Sequence, residues 1–230
     1  MADPTVVVVP GREWSGEIYA DLSGKTGNTE KFNGGVGTSA TLAGPQDKLR
    51  LYIGGKYERE NGNTSTEEYL GGVDYESTIA GTNNSWYARY EIEKEETSGV
   101  KLRHELGLGY GYYFIKDDIT QLRGRVGFTG KTKEYTTGDH DDSVGVEFAL
   151  HFERKIEEWG KLVSDLTYQP AFDNINDYRI VHESALDIPM LIKVPLNLRI
   201  GIQNEYNSQV ADGTERLETS YFAKIVYKWK

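Results

Sequence analysis

From Trp14 onward the chain alternates apolar and polar side chains with a period of two. Trp14, Gly16, Ile18, Ala20, Leu22 and Gly24 interleave with Ser15, Glu17, Tyr19, Asp21 and Ser23. Residues two apart share one face of a strand, so this segment has one apolar and one polar surface. The same rhythm returns in the segments starting at Phe32, Leu49, Tyr69, Trp86, Leu102, Leu122, Val144, Leu162, Tyr178, Leu196 and Tyr221, which predicts twelve strands in all. Most run for roughly ten residues or more, longer than ordinary globular strands and long enough to cross a membrane at a tilt. An even number lets an antiparallel sheet close with both chain ends on one side. Turn signals such as Gly44-Pro45-Gln46-Asp47, Asn61-Gly62-Asn63 and Asp212-Gly213 separate the segments, and no helix-length crossover interrupts them. The prediction is an all-β, closed, up-and-down antiparallel barrel. Three of its longest connections, Lys131 to Asp142, Pro170 to Asp177 and Gln209 to Glu218, fall on the same side.

Composition narrows the chemistry. The chain has 230 residues with 26 glycines and 16 tyrosines but only 6 prolines, which suits strands. A formal net charge of -10 and the lack of a basic run argue against a nucleic-acid partner. There is no cysteine, so disulfides, thiolate nucleophiles and Cys-ligated metals are excluded. No stretch approaches the roughly 18 apolar residues of a helical span. The run Val6 to Val9 is broken by Pro10 and Gly11, so residues 1–13 read as a flexible segment preceding one barrel domain over 14–230.

Alternation alone does not say which face points inward. A soluble barrel buries its apolar face around a ligand, whereas a membrane barrel turns that face to lipid and keeps a polar interior. The apolar face carries Trp14, Trp86, Tyr110, Tyr112, Tyr168, Tyr178, Tyr206, Tyr227 and Trp229 near strand ends, with Leu, Val, Ile, Gly and Ala between. That distribution matches two interfacial girdles around an apolar band. The membrane orientation is therefore preferred, with a soluble apolar-ligand barrel as its alternative. Under it Glu17, Arg50, Glu58, Arg89, Arg103, Glu105, Arg123, Arg125, Glu147, Glu183, Arg199 and Glu205 become lumen-lining candidates. Their near balance of sign favours mutual pairing over a pore selective for one sign.

Several segments carry a family resemblance: WSGEIYADLSGKTGNTEKFNGGVG at residues 14 to 37, HELGLGYGYYF at 104 to 114, LTYQPAFDNINDYRIVHESALDIPM at 166 to 190 and LNLRIGIQNEYNSQV at 196 to 210. With its Ser23-Gly24-Lys25-Thr26-Gly27-Asn28-Thr29 stretch, the chain resembles the salt-induced outer membrane proteins, also called domain of unknown function 481. The resemblance implies a transmembrane barrel in the outer membrane of a Gram-negative bacterium, surrounded by lipid or lipopolysaccharide. The preferred reading is a structural or limited diffusion role, with a small solute as an open partner, and the family's label adds a link to envelope or osmotic stress; the resemblance supplies no substrate. It supplies no catalytic residue or cofactor.

One constellation suggests reactive chemistry. His182 and Ser184 lie two apart on the apolar face of the tenth strand, and the following hairpin brings Asn204 diagonally beside His182. This resembles the lipid-facing Ser-His-Asn arrangement of outer-membrane phospholipase, itself a twelve-stranded barrel, and makes a lipid hydrolase a further alternative. The competing reading takes them as ordinary polar residues at headgroup level, and on that reading the chain is not an enzyme. The four histidines are scattered, and the loop Asp139-His140-Asp141-Asp142 reads as a solvated acidic loop, so neither metal nor cofactor is expected.

Overall fold

The computed structural model describes residues 11–26, 31–60, 63–95, 100–157, 159–172, 174–190, 193–209 and 215–230, with the side chains of 22–26, 31–33, 58–60, 63–67, 95 and 100 outside that description. Residues 1–10, most of the segment expected to be flexible, also lie outside it. Twelve strands form: β1 (Glu13–Thr26), β2 (Lys31–Ala43), β3 (Asp47–Glu60), β4 (Asn63–Thr78), β5 (Asn84–Glu95), β6 (Val100–Lys116), β7 (Thr120–Tyr135), β8 (His140–Ile156), β9 (Gly160–Pro170), β10 (Tyr178–Pro189), β11 (Leu196–Asn207) and β12 (Leu217–Trp229).

Each strand pairs with its sequence neighbours, and β1 closes on β12 in a ladder from Gly16 opposite Trp229 to Thr26 opposite Thr219. Closure leaves no strand edge with unpaired backbone groups, the condition for a sheet immersed in hydrocarbon.

The faces are reversed relative to a soluble protein. Ile18, Ile53 and Phe128 are 54%, 62% and 65% exposed, and the outward positions around them are apolar. The buried side chains are mostly polar: Glu76, Glu105, Glu147, Asp187, Ser85, Thr129 and Gln169 are enclosed, against Tyr87, Ala185, Phe222 and Val226 on the apolar side. A soluble barrel around an apolar ligand would require the opposite, so that alternative does not describe this fold. Aromatic rings gather at both rims of the apolar band. Phe148, Tyr168, Tyr178 and Tyr206 form a continuous ring-to-ring series at one end, and Tyr75 packs on Trp86, and Tyr112 on Phe114, at the other.

One expectation about the connections is corrected. Residues 131 to 142 are largely ladder, because Lys131 pairs with Ser143, Thr132 with Asp142 and Lys133 with Asp141, and only 136–139 separate β7 from β8. Polar residues occupy both faces there, so the apolar signal stops before the strand does. A strand that projects beyond lipid needs no oily face.

Candidate functional site: the charged interior

The interior is shaped by glycines paired with aromatic side chains. Tyr19 lies opposite Gly37, Tyr52 opposite Gly72, Tyr87 opposite Gly109 and Phe222 opposite Gly201. In all four cases a Cβ on the glycine would come within about 2.4 to 2.7 Å of the aromatic side chain. Each side chain therefore lies flat across its neighbour strand instead of projecting into the lumen. Sheet curvature built on glycine with covering aromatics is a known device of barrel architecture.

The row Tyr87, Gly109, Gly127, Glu147 runs in register across β5, β6, β7 and β8. With no side chains on the two middle strands, Tyr87 reaches across and its hydroxyl donates to Glu147 at 3.1 Å. Strands lie about 4.8 Å apart, so this contact bridges roughly 14 Å of wall. Arg89, next inward on β5, uses the same opening and donates to Glu105 and to Glu147, both at 2.5 Å. The Gln169 amide donates to the same two carboxylates at 2.9 and 2.8 Å, and Lys131 stands 3.6 Å from Glu105. Two enclosed carboxylates thus face one guanidinium, one ammonium and one amide.

Two further clusters and two separate pairs extend the lattice. Arg125 binds Asp74 through two nitrogens at 2.7 and 3.0 Å and also donates to Glu76, which is shared with Arg123 and with the Ser85 hydroxyl. Arg199 forks onto Glu17 at 3.0 and 2.9 Å and onto Asp187 at 2.6 and 3.1 Å, with Lys228 completing Asp187 at 2.9 Å. Toward the opposite end Arg179 holds Glu205 through two bonds of 2.8 Å, and Arg103 pairs with Glu93. Planar guanidinium forks on carboxylates combine geometric specificity with charge.

Of the lumen candidates, Arg89, Glu105 and Glu147 meet in one cluster, Arg123 and Arg125 in a second, and Glu17 and Arg199 in a third. Arg103 and Glu205 belong to separate pairs, Arg50 lies over the Tyr52 ring, and Glu183 borders the cavity below. The side chain of Glu58 is outside the described residues. Sequence reading missed Asp74, Glu76, Asp187, Gln169 and the inward tyrosines as members. Their signal was present in the alternation, since each shares the parity of its strand's charged face.

Beneath the lattice a cavity of about 1060 Å³ spans the barrel at the end where both termini lie. Arg50, Lys48, Arg123, Lys161, Glu153, Asp165 and Lys228 are among its lining residues, and Arg89 and Glu147 border it. Past that level Arg179 on β10 and Glu205 on β11 pair on one wall, and Arg103 on β6 pairs with Glu93 on β5 on another.

On the outer wall the Ser-His-Asn trio does come together. Ser184 Oγ is 2.9 Å from His182 Nε2, and His182 Nδ1 is 3.2 Å from the Asn204 amide. Asn204 is the direct cross-strand partner of His182 and not its diagonal neighbour. Among the described residues no group of three or more His, Asp or Glu is placed to hold a metal ion.

The profile of a protein family of unknown function, DUF481, matches residues 20–229, nearly the whole barrel. The chain belongs to the DUF481 family. No curated protein matches this DUF481 chain. Its fold is similar to that of the NanC porin, with a TM-score of 0.63 at 8% identity, covering 92% of this chain and 100% of that one. It is also similar to the KdgM porin solved with disordered oligogalacturonate, with a TM-score of 0.56 at 11% identity, covering 93% and 99% of the two chains. A closed ring of twelve strands, an apolar outer belt with aromatic rims and membership of this family make the protein an integral outer-membrane barrel of a Gram-negative bacterium.

Proposed function

We propose that this DUF481 barrel is a narrow passage for small hydrophilic solutes, wide at the end carrying the termini and constricted where the Arg89, Glu105, Glu147 lattice crosses the interior. The observation that carries this reading is the cavity of about 1060 Å³ that ends at that lattice. The termini face the periplasm on this reading, and lipopolysaccharide surrounds the opposite rim. Because arginines and carboxylates are paired, their fields cancel over short distances, which favours weak ion selectivity. The KdgM structure contains disordered oligogalacturonate; a lattice whose centre sets two carboxylates against one guanidinium and one ammonium offers an anionic chain no uncompensated cationic track.

Planar-bilayer recording tests the proposal. The parent barrel is expected to give small, stepwise currents of low selectivity, and Arg89→Ala combined with Glu147→Ala is expected to raise the step size by removing side chains that form the constriction. Inserted, folded protein that passes no current in either form would leave only a structural role.

A further inference from the structure

The lipid-facing wall from β9 to β12 carries a continuous row of polar side chains. Ser164 is opposite Ser184, and His182, Asn204 and Thr219 occupy one register row across three strands. Their neighbours on the same face are Leu166, Ile180, Leu186, Ile200 and Ile202. The row is hydrogen-bonded throughout: Ser164 Oγ to Ser184 Oγ at 2.8 Å, Ser184 to His182 at 2.9 Å, His182 to Asn204 at 3.2 Å and Thr219 to Asn204 at 2.9 Å. Polar groups turned to hydrocarbon are costly, and an ionisable one there marks a functional site unless a purely anchoring role accounts for it. His104, also on the outward face, bonds the Tyr90 hydroxyl and stands opposite Thr132.

We propose that Ser184, His182 and Asn204 form an acyl-ester hydrolase site on the outer wall, whose substrate is the carboxyl ester of a membrane phospholipid. The site goes beyond the channel reading and does not depend on it. The hydrogen bonds can all run one way. Ser164 donates to Ser184, Ser184 donates to His182 Nε2, His182 Nδ1–H donates to the Asn204 carbonyl oxygen, and the Asn204 amide nitrogen donates to Thr219. An amide oxygen and nitrogen are interchangeable in shape, and Thr219 can donate or accept, so Asn204 is satisfied in this orientation as well as in its reverse. In the forward direction Nε2 is free to take a proton.

The reaction then balances without metal or oxidant. Ser184 Oγ attacks the ester carbonyl carbon while its proton moves to Nε2. Collapse of the tetrahedral adduct expels the glycerol oxygen, which receives that proton, and leaves acyl-Ser184. Water gives a proton to Nε2 and attacks the acyl carbon; fatty acid departs and Ser184 regains its hydrogen. The Ser164 hydroxyl, 2.8 Å from the nucleophile, is placed to donate to the developing oxyanion. Ser184 and His182 are the catalytic residues, and Asn204 and Ser164 are positioning and stabilising groups.

The test uses the folded barrel in detergent micelles mixed with dioleoylphosphatidylcholine. Oleate release is expected from the parent, reduced at least about 100-fold in Ser184→Ala. Asn204→Ala is expected to lower kcat with KM held, as for a group that orients the base without touching lipid. A fluorophosphonate added to the parent is expected to label Ser184, read by mass spectrometry, and His182→Ala to abolish the label. Folding is checked for each variant by heat-dependent gel mobility. The labelling is read on the parent, so a variant that fails to fold does not shelter the proposal. Folded parent that neither releases oleate above protein-free micelles nor carries an adduct on Ser184 overturns it, as does release undiminished in folded Ser184→Ala.

Discussion

Replacing Arg89 by alanine removes the central cation of the interior lattice. Two carboxylates, Glu105 and Glu147, each about 4% exposed, lose partners at 2.5 Å, and Arg89 itself is only 19% exposed. What remains is the shared Gln169 amide, the Tyr87 hydroxyl on Glu147 and Lys131 at 3.6 Å from Glu105. Breaking one buried pair by deleting a partner costs about 3 to 5 kcal/mol, because the stranded charge stays desolvated. Water in the adjoining cavity relieves part of that, so the lower end, about 3 kcal/mol, is expected. The matched control is Lys101→Ala, which deletes a 2.7 Å pair with Glu134 in which the lysine is 58% exposed, and should cost under about 1 kcal/mol. Urea unfolding in lipid vesicles, followed by tryptophan fluorescence, measures both. Equal losses for the two variants would refute the reasoning that the enclosed Arg89 pairs hold the fold more strongly than an exposed pair does.

Three other outcomes follow from the geometry. Gly109→Ala places a Cβ 2.3 Å from the Val126 carbonyl oxygen and 2.7 Å from the Tyr87 ring, so a loss of about 1 to 3 kcal/mol is expected; Gly130→Ala, with nothing within 4 Å, should be close to neutral in the same assay. Phe128→Arg puts a charge on a lipid-facing position 65% exposed, with an expected loss of about 2 to 4 kcal/mol if that residue is near the bilayer midplane. Asp117, in the turn between β6 and β7, accepts the backbone N–H groups of Ile119 and Thr120 at 2.8 and 2.7 Å, and these bonds hold its carboxyl below the usual carboxylate range. A depressed folded-state value stabilises the fold above the unfolded carboxylate value, and the gain is lost as pH falls through the depressed value. The stability difference between parent and Asp117→Asn should therefore narrow on acidification across that window.

Twelve strands, their order and the outward apolar face were legible because a period of two survives wherever a strand touches lipid on one side and charge on the other. Strand ends were not, as β7 and β8 show: once Thr132 and Glu134 replace the oily residues, alternation carries no contrast. The interior partners were hidden for a different reason. Arg89 meets Glu147 across two intervening strands, and Arg125 meets Asp74 across β5 and β6. Such contacts depend on which middle positions are glycine and on how the wall curves, and neither is a local property of the sequence. The pairing of Tyr19, Tyr52, Tyr87 and Phe222 with glycines was hidden as well until register was fixed, since one residue of slip would move these rings to the other face.

His182 and Asn204 were recoverable despite the same difficulty, and the contrast has a physical cause. They lie on adjacent strands joined by a short connection, 190–195, so their separation along the chain nearly determines their register. Local pairing of this kind forms with little loop-closure entropy, whereas the Glu17 to Arg199 bond joins residues that meet only when the barrel closes. The two polar systems should therefore fail differently. A variant that weakens closure between β1 and β12, such as Gly16→Ala beneath the Trp229 ring, where a Cβ would stand 2.4 Å from the indole, should loosen the Arg199 cluster while leaving the His182 row on its intact hairpin. Histidine and arginine side-chain NMR signals in the same sample would separate the two effects, and joint loss of both at partial denaturation would show that the row has no stability of its own.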